Sequence, residues 1–135
     1  MIMRPLKLND YDAWRPLWAA YLEFYETSVV DAIYKLTCNR LISLEHPKQS
    51  AFIAEMGDDL FVIVNCIIHP NNWKTDEILY VQDLFVQSGQ RDKGVGHALI
   101  EAVYKAADDK GSPTVYWLTQ GLTRRLGDFI IASPP

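Results

Sequence analysis

The chain has 135 residues, 49% of them hydrophobic and 22% charged, which is enough apolar material for one compact core and too little chain for two. Thirteen basic against seventeen acidic residues leave a net charge of −4. That balance argues against nucleic-acid binding carried by bulk charge, and it leaves either ordinary solubility charge or a field that draws a cationic partner. Seven glycines and seven prolines exclude collagen-like and low-complexity classes.

No apolar run reaches the ~20 residues of a membrane span, and the start Met1-Ile2-Met3-Arg4-Pro5 has no signal-peptide core. No membrane partner is therefore expected. Cys38 and Cys66 lie far apart and read as reduced packing thiols of a cytoplasmic protein. His46, His69 and His97 fall at no ligand spacing, so no metal site is expected.

In chain order, residues 2–8 read as a short strand with Ile2, Leu6 and Leu8 apolar. A helix follows from about Asp12, which keeps Pro16 near its first turn. Its stripe is Trp14, Leu17, Trp18, Tyr21, Leu22 and Tyr25, spaced three and four apart. Residues 29–43 form a weaker helix with Val30, Ile33, Leu36 and Leu41 on one side. Ser50 to Met56 and Leu60 to Ile68 read as an antiparallel hairpin about the Gly57-Asp58-Asp59 turn, the second strand buried on both faces. Ile78 to Val86 is the next strand. A helix from about Gly94 carries Val95, Ala98, Leu99, Ala102, Val103 and Ala106 on one face, with Gly111 as its C-cap. Pro113 to Thr119 is the last clear strand. The order β-α-α-β-β-β-α-β defines a mixed α/β fold of one domain, residues 1–135, whose final strand–helix–strand unit is a right-handed parallel crossover.

The chemistry concentrates at Arg91-Asp92-Lys93-Gly94-Val95-Gly96, between a strand and a helix. The first N–H groups of a helix lack intrahelical acceptors and the helix dipole adds positive potential there. Glycines let backbone approach an anion, and Arg91 and Lys93 add charge. Asp92 either sits against the bound anion or caps the helix. A P-loop is excluded because His97-Ala98 follows Gly96, and a dinucleotide fingerprint is excluded because GxGxxG is absent from the first βα turn.

With Tyr80-Val81-Gln82-Asp83-Leu84-Phe85-Val86 before that turn, His97-Ala98-Leu99-Ile100 after it and Val115-Tyr116-Trp117-Leu118-Thr119 beyond, the chain resembles the GCN5-related N-acetyltransferase (GNAT) superfamily over about residues 1–120. His69-Pro70-Asn71-Asn72-Trp73 resembles a loop of its polyamine/diamine acetyltransferase-like branch. The resemblance implies a mixed central sheet flanked by helices. It implies acetyl transfer from acetyl-CoA to a small amine, with the pyrophosphate on Arg91, Asp92, Lys93, Gly94, Val95, Gly96 and His97. The pantetheine arm would pair with Leu84, Phe85 and Val86, and the thioester would sit where that strand splays from the next one, its carbonyl polarised by strand amides.

Two departures stand out. The branch often carries a glutamate as base where this chain has Gln82, and glutamine takes no proton. Asp83 remains, and strict alternation along a strand points it away from the face that Gln82 occupies. The tyrosine that protonates the departing thiolate in relatives falls on Gly127, and the final helix and strands are shortened or missing, leaving residues 121–135 as an atypical tail. Phe129-Ile130-Ile131 is expected either to pair with the edge of the 114–119 strand or to pair with another chain in a homodimer.

Gln82 and Asp83 are the candidate catalytic residues. Tyr21, Tyr25, Glu26, Trp73 and Tyr80 are the candidate acceptor contacts, although a helical aromatic stripe also suits a core, Glu23 and Glu26 also suit solvated surface, and Trp73 also suits packing onto the domain. His97 either touches the cofactor or is solvated.

Overall fold

A computed structural model of the protein describes residues 2–57, 59–87, 95–118 and 129–132. Strand β1 (Ile2–Pro5) leads through a 3-10 turn to helix α1 (Tyr11–Phe24) and helix α2 (Asp31–Ile42). Strands β2 (Gln49–Met56), β3 (Asp59–His69) and β4 (Ile78–Val86) follow, then helix α3 (Val95–Asp109), β5 (Thr114–Leu118) and β6 (Phe129–Ala132). The six strands form one sheet in sequence order. The pairs are antiparallel except β4 with β5, which α3 connects in parallel. All eight elements expected from the sequence are present. Phe129 to Ala132 adds a sixth strand on the edge of β5, with Tyr116 opposite Ile131.

The start of the chain differs from the expectation. β1 stops at Pro5, and Leu8 is exposed in the 3-10 turn. Asp10 causes this: its carboxylate accepts the Lys7 N–H at 2.8 Å and both terminal nitrogens of Arg4 at 2.8 Å, pulling the backbone out of the strand. Arg4 also holds Glu55 of β2 at 2.9 Å. α1 begins one residue earlier than predicted, so Pro16 lies in its second turn, where the Asp12 carbonyl loses its usual intrahelical donor.

The weaker helix also turns a different face inward. α2 buries Tyr34, Cys38 and Leu41, whereas Val30 and Leu36 are exposed. Tyr34 sets the rotation: its ring meets Trp18 edge-on at 5.4 Å, and the Arg15 guanidinium covers it at 4.2 Å.

Two cores sandwich the sheet. On one face, Leu79 and Val81 of β4, Val64 and Cys66 of β3 and Val115 of β5 pack against Leu99, Val103 and Ala107 of α3. On the other, Ile53 and Ile63 pack against Trp14, Leu17 and Trp18 of α1 and Tyr34, Cys38 and Leu41 of α2. β3 runs between them with Leu60–Cys66 buried throughout, as expected of a central strand.

Candidate active site

β4 is paired differently along its two halves. Its pairing with β5 runs from Ile78↔Thr114 to Val81↔Trp117 and, in the described residues, goes no further. Its pairing with β3 continues to Val62↔Val86, and the Gln87 N–H still reaches the Phe61 carbonyl at 2.8 Å. Asp83 to Phe85 therefore pair with β3 on one side and, among the described residues, with no residue of β5 on the other.

A bulge coincides with that divergence. Asn65 faces Asp83 and Cys66 faces Val81, so Gln82 is an extra residue. The insertion resets the alternation. Val81 and Leu84 both face α3, lining a slot with Leu99, Val103 and Trp117. Asp83 turns to α1, and Phe85 packs into the α1 core. The strict alternation expected for Gln82 and Asp83 fails here because the extra residue absorbs half a period.

The Asp83 carboxylate is enclosed by neutral donors. One oxygen accepts the Trp18 indole N–H at 3.2 Å and the Asn65 amide at 2.9 Å. The Tyr21 hydroxyl donates to the neighbouring Gln82 carbonyl at 3.2 Å. Burial pushes the Asp83 carboxyl above its ordinary range, against the pull of its hydrogen-bond donors. Burial, reinforced by Asp83 and Tyr25, raises the Tyr21 phenol as well.

Tyr25 rests on Tyr21 with ring centroids 4.8 Å apart, and Tyr21 meets Phe85 edge-on at 6.5 Å. Tyr21, Phe24 and Tyr25 line an open depression with Leu84, Phe85 and Val86. Glu26 closes α1 at φ +58°, the left-handed position of a C-terminal motif in which Thr27 N–H reaches the Leu22 carbonyl at 2.9 Å and Glu26 N–H reaches Glu23 at 2.8 Å. Tyr80 stacks on Tyr116 at 4.6 Å. Tyr116 is tied to His69 Nε2 at 2.7 Å, and His69 Nδ1 donates to the Pro70 carbonyl at 2.8 Å, since a carbonyl oxygen only accepts. Trp73 is 94% exposed and borders a second depression with His69, Ile78 and Tyr116.

The structure thus gathers Tyr21, Tyr25, Tyr80 and Asp83 on the α1 side of β4, brings in Gln82 through its backbone carbonyl while its side chain is exposed, and sets Trp73 at the β3–β4 loop beside Tyr116. Trp14 and Trp18 belong to the core. His97 is exposed on the first turn of α3, 3.6 Å from Glu101. Val95 and Gly96 open α3. Arg91, Asp92, Lys93 and Gly94, and Gly127 with the neighbouring tail, lie outside the described residues. Sequence reasoning missed Asn65, His69 and Tyr116 as members of this face. Asn65 carried a usable signal, since a polar residue inside an apolar central strand needs a partner. His69 and Tyr116 carried none, being 47 positions apart in the chain.

The one parallel strand pair among the described residues stops pairing after Val81 and Trp117, with α3 on one face and the polar cluster around Asp83 on the other. A family model described as the acetyltransferase (GNAT) family matches residues 11–126. The chain is 33% identical over 127 residues to the D-amino-acid N-acetyltransferase HPA3 of Saccharomyces cerevisiae, covering 93% of this chain and 78% of that protein. The protein belongs to the GNAT acetyltransferase family. Its fold is similar to that of a probable acetyltransferase (TM-score 0.76, 18% identity, covering 92% of this chain and 83% of that one). It is equally similar to AAC(6')-Iy in complex with the bisubstrate analogue CoA-S-monomethyl-acetylneamine (TM-score 0.76, 18% identity, covering 91% and 82%). Among the described residues no helix is long and apolar enough to cross a membrane, and no three His, Cys, Asp or Glu side chains converge as a metal site.

Proposed function

We propose that the protein transfers an acetyl group from acetyl-CoA to a small primary amine, polyamine or amino-acid-like, by direct attack. The divergence of β4 from β5 after Val81 and Trp117 carries this reading. Beyond that point the described residues of β5 no longer pair with β4, and an extended strand there suits the amides of a pantetheine arm laid along Leu84, Phe85 and Val86. When bound, acetyl-CoA supplies an activated acetyl thioester. The chain's part is to hold it with the Arg91–His97 turn and polarise its carbonyl with amides near the bulge. The acceptor amine enters among Tyr21, Tyr25, Glu26, Tyr80 and Trp73.

Two relatives support the substrate class. The 33% identical yeast protein is a D-amino-acid N-acetyltransferase, and the aminoglycoside-type neighbour holds a CoA bisubstrate analogue. Direct attack is supported by the cysteines: both are buried, and burial pushes the Cys66 thiol up to about 12, so neither is an activated nucleophile. Two buried unpaired thiols also fit a reducing, cytoplasmic setting.

Calorimetry with acetyl-CoA and thiol release with polyamines and amino acids test the reading. A bulky residue at Gly94 or Gly96 is expected to weaken acetyl-CoA binding by at least about 10-fold, and unchanged affinity removes the phosphate-turn assignment. Gln82 favours one alternative, a catalytically degenerate CoA-binding module, which binding without turnover across the panel would establish. A homodimer stays within the proposal because β6, the outer strand among the described residues, has the apolar sequence Phe129-Ile130-Ile131-Ala132. Light scattering that returns a monomer at high concentration removes it.

A further inference from the structure

We propose that the depression beside Trp73 receives an aromatic side chain of the acceptor, so that the preferred amine is an arylalkyl one, such as an aromatic amino acid, and not a polyamine. The inference rests on the acetyl-transfer reading and adds to it the class of acceptor. Three rings stand in a row on the α1 side of β4 and lead toward the bulge. His69 meets Tyr116 edge-on with centroids 5.6 Å apart, and Tyr116 stacks on Tyr80 at 4.6 Å with the planes 17° apart. Tyr80 precedes the bulge residue Gln82 by two positions. The outer end of the row opens into a depression of about 320 Å³, lined by residues 69–73, Ile78 and Tyr116. That volume falls at the lower end of the about 300–1,000 Å³ usual for small-molecule sites.

The lining turns polar atoms toward one another and offers ring surface. His69 Nδ1 donates to the Pro70 carbonyl at 2.8 Å, which leaves Nε2 to accept from the Tyr116 hydroxyl at 2.7 Å. Asn71 Oδ1 accepts the Trp73 backbone N–H at 3.1 Å, an Asx turn that fixes the tip of the loop. Among the described residues no Asp, Glu, Lys or Arg lines the depression. A polyamine's second ammonium would find no carboxylate there, and Tyr80 and Tyr116 each cover one face of the other, which takes those faces from a cation. Trp73 is 94% exposed, and a flat ring laid against its indole takes apolar surface out of water on both partners. The reach also fits. Ile78 borders the depression, and the pairing of β4 with β5 ends at Val81, three residues on, about 10 Å at the rise of a strand. A phenylalanine-like amine spans most of that distance from its nitrogen to the far edge of its ring, whereas an alanine-like amine does not.

The test uses the full chain with acetyl-CoA. Thiol release is measured with racemic phenylalanine methyl ester, racemic alanine methyl ester and 1,4-diaminobutane, for the wild type, Trp73→Ala and Trp73→Phe. Acetyl-CoA affinity by calorimetry checks that each variant is folded. The wild type is expected to show a kcat/KM at least about 10-fold higher for the phenylalanine ester than for the alanine ester or the diamine. Trp73→Ala should bring the phenylalanine-to-alanine ratio below about 3-fold, through KM for the phenylalanine ester more than through kcat, and Trp73→Phe should hold it above that value. A wild-type ratio below about 10-fold, a diamine that matches the phenylalanine ester, or a ratio that stays above about 3-fold in Trp73→Ala overturns the aromatic pocket and leaves acetyl transfer standing. Wild-type protein that binds acetyl-CoA and acetylates none of the three acceptors overturns the transfer reading and the aromatic pocket with it.

Discussion

The two faces of the sheet treat polar groups in opposite ways. Toward α3, the buried set is built from Leu79, Val81, Val115, Leu99, Val103 and Ala107, with no charged side chain in it. Toward α1, the same strand β4 presents Asp83 to an indole and an amide, with the Tyr21 and Tyr25 phenols alongside. One strand serves both faces because the bulge at Gln82 shifts its alternation halfway along. The α3 face holds the domain together by area buried. The α1 face gives up part of that stability to keep the Asp83 carboxylate and the Tyr21 hydroxyl in low dielectric, where burial raises both proton affinities.

The sharpest test of this contrast is a pair of substitutions with opposite signs. Leu99→Ala removes a leucine 1% exposed at the centre of the α3 face and is expected to cost about 3 kcal/mol in denaturant unfolding. A loss below ~1 kcal/mol would mean that this face is not the stabilising one. Asp83→Asn, by contrast, is expected to gain about 1 kcal/mol at neutral pH. The amide oxygen can still accept from Trp18 and Asn65, and no buried charge remains.

The pH dependence follows from the direction of the shift. Asp83 has a folded pKa above its unfolded one, so the folded state binds the extra proton and stability falls as pH rises from the ordinary aspartate range through the raised value. The advantage of Asp83→Asn should therefore shrink as the pH is lowered into that range. Asp10 runs the other way: the Arg4 guanidinium holds its carboxyl low, so its contribution is present above the ordinary aspartate range and is lost as pH falls through the lowered value. Denaturation curves at several pH values separate the two, and an advantage for Asp83→Asn that grows on acidification contradicts the assignment.

Glu26 gives a smaller effect of the same kind. A glutamate at φ +58° is strained where glycine is not. Glu26→Gly is expected to raise stability by about 0.5 kcal/mol, the relief of strain exceeding the extra entropy of the unfolded glycine. If Glu26 holds the acceptor, the same change raises KM for cationic amines. The smallest effect is expected at Trp73, 94% exposed in its loop. Trp73→Ala should leave the unfolding midpoint within about 0.5 kcal/mol of wild type, and a rise in acceptor KM at constant stability would mark it as a substrate contact.

Much of the fold was legible because period and punctuation agree. The three-four rhythm of α3 from Val95 to Ala106 and the apolar run of β3 demand their elements without help from elsewhere. α2 was legible as a helix but not in its rotation. Its apolar residues are spread around the axis, and Tyr34 with Trp18 chose the face. At the site, Gln82, Asp83 and Tyr21 were visible as candidates, but their geometry was not. A bulge is a mismatch between two strands, and one strand's sequence does not contain it.

By itself the sequence determined the order of elements, the two apolar seams and the glycine-bearing helix start, because those depend on spacing within ten or fifteen residues. The tertiary structure alone decided that β4 leaves β5 after Val81, that Asp83 turns under Trp18, and that His69 meets Tyr116. Each of these is a contact between distant segments. Its energy depends on how strands twist and helices settle on them, and no local pattern records that.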